Sequence, residues 1–223
     1  MEVIDYLDNI PNAVHHPCPH YRQTSFWDCG VSCFIMTLGE KDRKWILRDH
    51  NMAKLCAEEG FAQSTWTIDL CYLLRRFRIP FLYTTITKGV DPSYAEEAYY
   101  NKVLQKDTER VIRRFDEAEM NDIHIQERSV PLSEILTHLA KAGPVIVLVN
   151  SNVLKTPSCI AVDENNYQGH YVLLVGYDLK KKTVAYRDPS FKQTQSSASF
   201  AQFERARKSY GTDEDIVFIY SVK

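Results

Sequence analysis

Gln23-Thr24-Ser25-Phe26-Trp27-Asp28-Cys29-Gly30-Val31-Ser32-Cys33 sets a glutamine six residues ahead of a cysteine, and the apolar positions Val31, Phe34, Ile35 and Leu38 follow it at helical spacing. The spacing predicts a helix over about 29–39 with Cys29 at its start. Backbone N–H groups at a helix N-terminus make a positive field that favours a thiolate. A side-chain amide such as that of Gln23, paired with the backbone N–H of Cys29, is the kind of donor pair that binds the oxyanion formed when a thiolate attacks a carbonyl. The segment therefore predicts a thiol nucleophile carried on a helix, and a thiol so used needs a base and a group to orient that base.

Among seven histidines, His170 alone opens a strongly patterned strand, in Gln168-Gly169-His170-Tyr171-Val172. Strand ends are rigid platforms for a working side chain, and Gly169 permits a close approach or an unusual torsion beside it. Tyr171 to Tyr177 and Thr183 to Arg187 flank the polar turn Asp178-Leu179-Lys180-Lys181-Lys182, which predicts an antiparallel hairpin. Residues equidistant from such a turn lie opposite each other, so Asp188, just past Arg187 and ahead of Pro189, is placed to orient His170. Each residue also has an ordinary explanation: a cysteine on an apolar helix is usually core, a single histidine is usually satisfied locally, and Asp-Pro is usually a turn. One mechanism accounts for Gln23, Cys29, His170 and Asp188 together.

Further helices are predicted within 43–58, from Thr67 to Phe77 with Thr67 as a cap, over the amphipathic stretch 93–120 as one helix or a pair, over about 132–142, and over 200–207. In 93–120 the apolar contacts are Tyr94, Ala98, Val103, Leu104, Val111, Ile112 and Phe115. Strands are predicted over 80–87, 123–126, 145–150, 171–177, 183–187 and 216–220, with the unbroken apolar runs at 145–149 and 171–175 suited to buried strands. Helices come first and mainly antiparallel strands follow, an α+β pattern in which an N-terminal helical part packs on a C-terminal antiparallel sheet. Residues 1–22, interrupted by Pro11, Pro17 and Pro19, read as a lead-in, and 23–223 as a single domain.

The order Gln23, Asp28-Cys29-Gly30, His170 and Asp188-Pro189 resembles papain-like cysteine peptidases of the bacteriocin-processing type. Trp27-Asp28-Cys29-Gly30, Trp66-Thr67-Ile68-Asp69-Leu70, Val147-Leu148-Val149-Asn150, Tyr167-Gln168-Gly169-His170 and Ser209-Tyr210-Gly211-Thr212-Asp213-Glu214-Asp215-Ile216 are similar to the eukaryotic family named for a guanylyl cyclase domain, over nearly the whole chain. The first resemblance implies a papain-like fold and cysteine catalysis. The second implies, by the family's name, conversion of GTP to cyclic GMP. Cyclisation requires carboxylates that hold divalent ions on the phosphates. Asp213, Glu214, Asp215 and Asp69 are available, although the first three read as a polar turn and Asp69 as a helix cap or dipole partner; no phosphate-cradling glycine loop is present. The residues thus favour a cysteine-nucleophile hydrolase or acyl-transfer enzyme acting on a peptide, amide or isopeptide bond. Guanylyl cyclisation is the first alternative, and a non-catalytic binding module on a peptidase-like frame is the second.

A chain of 223 residues with net charge −2 and ordinary globular composition has no global attraction for nucleic acid or anionic membrane, and no apolar run is long enough to span a bilayer. The expected partner is a peptide or protein substrate. The acidic start Met1-Glu2-Val3-Ile4-Asp5 lacks a secretory pattern, which predicts a cytosolic or nuclear setting, and the cysteines at 18, 29, 33, 56, 71 and 159 read as reduced thiols. Neither metal nor cofactor is expected: His15-His16-Pro17-Cys18-Pro19-His20 holds zinc-type ligands, but its prolines and short spacing favour a loop. Asp28 either raises the thiol pKa of Cys29 or caps its helix, and Cys33, one turn on, reads as packing rather than a disulfide partner. Trp27, Trp66 and Tyr167 are aromatic candidates for a cleft wall.

Overall fold

The computed structural model describes residues 9–90, 98–155, 167–192 and 194–220, with only the backbone of 98–106. Tyr94 and Cys159, and the side chains of Ala98, Val103 and Leu104, lie outside the described residues. Among the described residues eight strands form one sheet: β1 (Ala13–His15), β2 (Phe81–Thr85), β3 (Ile125–Glu127), β4 (Val145–Asn150), β5 (Gly169–Asp178), β6 (Thr183–Arg187), β7 (Ser196–Ser199) and β8 (Ile216–Ile219). The order across the sheet is β3-β2-β8-β4-β5-β6-β7, with β1 paired to β5. All pairings are antiparallel except β2 with β3. The α-helices among the described residues are α1 (Cys29–Thr37), α2 (Glu40–Lys44), α3 (Met52–Glu58), α4 (Thr67–Arg76), α5 (Ala98–Asp116), α6 (Leu132–Lys141), α7 (Ser151–Lys155) and α8 (Phe200–Arg207). The predicted helix within 43–58 is split, because six residues, Trp45–His50, wind into a wider π turn that ends where Asn51 takes φ 82.

The chain is α+β, but it has three layers where two are expected. Alternation along each strand divides the core. Ile146 and Leu148 of β4 with Tyr171, Leu173 and Val175 of β5 pack under α1 and α4. Val145, Val147 and Val149 with Val172 and Leu174 face Ile135 and Leu139 of α6 and Phe203 and Ala206 of α8. Strands covered on both faces carry apolar side chains at every position, which is why 145–149 and 171–175 are unbroken apolar runs. Burying each such side chain contributes about 1.5–3 kcal/mol.

The lead-in is part of the sheet. Ala13–His15 pairs with Gly176 to Asp178 as β1, on the stretch of β5 that β4 leaves uncovered. Gly176 makes the approach possible, since a Cβ there would collide with the carbonyl oxygen of Val14. Two short elements, β7 and α7, are present that neither period nor composition indicates. Among the described residues no helix is long and apolar enough to cross a membrane.

Candidate active site

Cys29 is the first residue of α1, and the helix that follows is buried on every residue through Met36. Asp28 precedes it, and its backbone carbonyl accepts from Ser32 N at 2.8 Å. The Asp28 carboxylate neither caps the helix nor faces the thiol as a hydrogen-bond partner. It turns back into the preceding loop and accepts from Thr24 N (3.0 Å), Thr24 Oγ1 (2.7 Å) and Ser25 N (3.1 Å). With no exposed surface of its own, it works as a buried pin that fixes the loop from Gln23 to Trp27.

His170 enters at the start of β5 and hydrogen-bonds through Nε2 to Asp188 Oδ1 at 2.7 Å, and it lies close enough to Cys29 for the thiol to act on its pKa. The hairpin ladder ends at Leu173 opposite Arg187, after an irregularity between Leu174 and Gly176. Asp188 therefore has no partner directly across and reaches His170 diagonally from beyond the strand end. Its orientation is fixed by Ser190, which donates to the same Oδ1 from its backbone N (2.9 Å) and its Oγ (2.6 Å). Asp-Pro-Ser is the sequence signal for this turn, since a short polar side chain accepts from the backbone two residues on.

Burial disfavours a charged His170, but hydrogen bonds to Asp188 and Cys29, with their electrostatic attraction, outweigh it and push the pKa up to about 9. Burial likewise works against the Asp188 charge, and the His170 and Ser190 bonds overcome it, holding the carboxyl below its ordinary range. Cys29 and His170 are each 8 % exposed and Asp188 2 % exposed, so these interactions act in a largely water-excluded place.

Gln23 arrives at the same place by its backbone: its N–H donates to Pro189 O at 2.9 Å, tying the loop before α1 to the turn after β6. Its side chain gives one Nε2 hydrogen to Ser25 O at 2.8 Å, and its Oε1 is buried without a partner. Cys33 is fully buried and free, with its thiol pKa raised by burial and by Cys29.

The aromatic candidates separate. Trp66 and Tyr167 line a small cavity together with Cys29, whereas Trp27 packs against the core under α1 and borders a different groove. Tyr167 lies over Gly169 and Gly211; a Cβ at Gly169 would sit 2.6 Å from its hydroxyl, and one at Gly211 3.0 Å from its ring. Gly211, at φ 90, also makes the turn leading to β8. Close approach at Gly169 is thus to a side chain rather than to backbone.

The other sequence candidates have local partners. Asp69 accepts from Trp66 N (2.9 Å) at the start of α4 and is bridged by Arg110 and Arg114 of α5, the latter at 2.6 Å. Glu214 accepts from Ser129 Oγ at 2.5 Å and faces Arg207 at 3.5 Å. Asp215 accepts from Tyr83 OH at 2.8 Å and from Thr67 Oγ1. Thr67 does not cap α4, being turned to Asp215 and Tyr171. His16 bonds to Leu139 O (2.7 Å) and His20 to Phe191 O (2.9 Å), so the His15–His20 segment diverges, and among the described residues no group of three metal-type ligands converges.

Residues 18–219 match the family model described as guanylylate cyclase. The sequence is 36% identical over 219 residues to guanylyl cyclase 1 of Arabidopsis thaliana, a match covering 94% of this chain and 78% of the plant protein. Among solved structures it is similar to xylellain, a cysteine protease from Xylella fastidiosa, at 15% identity and a TM-score of 0.47 over 99% of this chain and 90% of that one. A C39-like peptidase from Bacillus anthracis aligns at 14% identity and a TM-score of 0.41 over 95% of this chain and 98% of that one.

Proposed function

The chain belongs to the guanylylate cyclase family, and from that premise and the surroundings of Cys29 we propose that it is a cysteine-nucleophile hydrolase or acyl-transfer enzyme acting on a peptide, amide or isopeptide bond. The observation that supports this reading is His170, held at 2.7 Å by a buried Asp188 and raised in pKa, against the effect of burial, by its interactions with both Asp188 and Cys29. A base held between a nucleophile and an orienting carboxylate is what thiol acyl transfer requires.

In this mechanism His170 Nδ1 takes the thiol proton, since Nε2 is engaged by Asp188. The Cys29 thiolate adds to the substrate carbonyl carbon, and the oxyanion is met by the Cys29 backbone N–H and the second Nε2 hydrogen of Gln23. The imidazolium returns its proton to the leaving amine as the C–N bond breaks, leaving a thioester. Water, deprotonated by His170, or an acceptor amine then releases the acyl group and restores the thiol. Asp188 stabilises the imidazolium throughout and fixes which nitrogen faces the thiol.

The test is labelling with an electrophilic peptide probe at pH 7, with the modified residue identified by mass spectrometry. Modification is expected at Cys29, absent in Cys29→Ala, and slowed about 100-fold in His170→Ala, within the range for removing a general base. Labelling confined to other cysteines, or amide cleavage undiminished in Cys29→Ala, would overturn the proposal.

The family's description also brings nucleotide cyclisation. That reaction would require carboxylates converging on a divalent ion. Asp69 is engaged with Arg110 and Arg114 and Glu214 with Arg207 and Ser129; Asp213 and Asp215 line one cavity, but among the described residues no group of three metal-type ligands converges. These acids do not fit such an ion. Metal-dependent cyclic GMP formation that survives Cys29→Ala and falls in Asp213→Asn would favour cyclisation instead.

A further inference from the structure

The proposed acyl transfer leaves one neighbour of the thiol unexplained. A cavity of about 60 Å³ opens beside Cys29, with Trp66, Tyr167, Tyr171 and Thr67 among its walls and Asp213 and Asp215 on its surface. Asp215 is 7 % exposed and accepts from two hydroxyls, Tyr83 at 2.8 Å and Thr67. The other deeply buried carboxylates with a cation-capable partner are Asp69, with two arginines, and Asp188, with His170. Asp215 forms no ion pair among the described residues, and the hydroxyls that hold it in place supply no positive charge.

We propose that this cavity binds the α-ammonium group of a substrate, with Asp215 as its counter-charge, so that Cys29 attacks the carbonyl of an N-terminal residue and the enzyme is an aminopeptidase or aminoacyl transferase. This rests on Cys29 being the nucleophile. The cavity is small, about 60 Å³, which suits a compact group such as an ammonium on Cα. An α-ammonium is two bonds from its own carbonyl carbon, so a group lodged here brings that carbonyl to the thiol at the cavity's edge. Aromatic walls suit the same occupant, because ring faces attract an ammonium. Burial first, and then the charge of Asp213, raise the Asp215 pKa far above the ordinary carboxylate range, so the empty site holds a neutral acid. When the ammonium enters, Asp215 releases its proton to solvent and an ion pair forms. The first peptide bond is then broken as already described, its amine leaving with the proton from His170.

Calorimetric titration of the Cys29→Ser protein with glycinamide and with N-acetylglycinamide at pH 7.5 decides it without any catalysis. Glycinamide is expected to bind at least ten times more tightly than its acetylated form, and to lose at least tenfold affinity in a Cys29→Ser, Asp215→Asn protein. Equal binding of the two amides, or no binding of glycinamide, overturns the proposal while leaving thiol labelling at Cys29 untouched. Should Asp215→Asn fail to fold, the two amides compared on the Cys29→Ser protein still decide. If glycinamide binds as expected but Cys29 is never acylated, the pocket stands as an amine site and the catalytic reading fails.

Discussion

His170 carries the residue-scale consequences. Its folded pKa of about 9 lies above the value near 6.5 of an unfolded histidine. The charged ring therefore contributes stability in full below about pH 6.5, and that contribution is lost as pH rises through about 9. Asp188→Asn removes one of the bonds that raise it, so the His170 ring resonance, followed by NMR, is expected to titrate below 9 and the alkaline loss of thermal stability to move toward neutrality. A His170 midpoint unchanged in that variant would show that Asp188 does not set it. At this scale the pairing of His170 with Asp188 was legible, because the hairpin places the two strand ends together. Asp28 was not, since a buried carboxylate can face forward to a helix or back into a loop, and only the donors at Thr24 and Ser25 decide between them. Gln23 is intermediate: its neighbourhood is as expected, but half of its amide donor capacity is spent on Ser25.

Elements are held to one another by few, specific contacts. The join between α4 and α5 is the Asp69 carboxylate with Arg110 and Arg114. Asp69→Ala would take from two guanidinium groups, 12 and 9 % exposed, their shared buried partner while leaving Arg110 with Asp107 and Arg114 with Glu59, an expected loss of about 1.5–3 kcal/mol measurable by urea denaturation. The join of β1 to β5 depends on Gly176 having no side chain. In Gly176→Ala β1 must move away, with an expected cost of about 1–3 kcal/mol; faster amide exchange of Val14 and His16 would report it, and unchanged exchange there would refute it. Periodicity made α1, α4, α6 and α8 legible, as it did β4 to β6. It could not reveal β1, whose three residues sit among prolines and are strand only because a partner edge is vacant, nor β7, whose serines carry no apolar alternation.

For the molecule as a whole, the α+β class followed from helices preceding strands, but the layering did not, because α6 and α8 are amphipathic in either arrangement and only the doubly covered strands betray the second face. The topology also has a temporal meaning. β8, Ile216–Ile219, lies between β2 and β4 and hydrogen-bonds to both, so a strand from the far end of the chain occupies the middle of the sheet. Until residue 219 has been made, β2 with β3 and β4 through β7 can exist only as two separate ribbons, each with a raw edge where β8 will go. Closing loops of this length is slow. The growing polypeptide consequently holds Cys29, His170 and Asp188 long before it can press α1 and α4 onto a finished sheet, and synthesis itself delays the moment at which these residues are brought together.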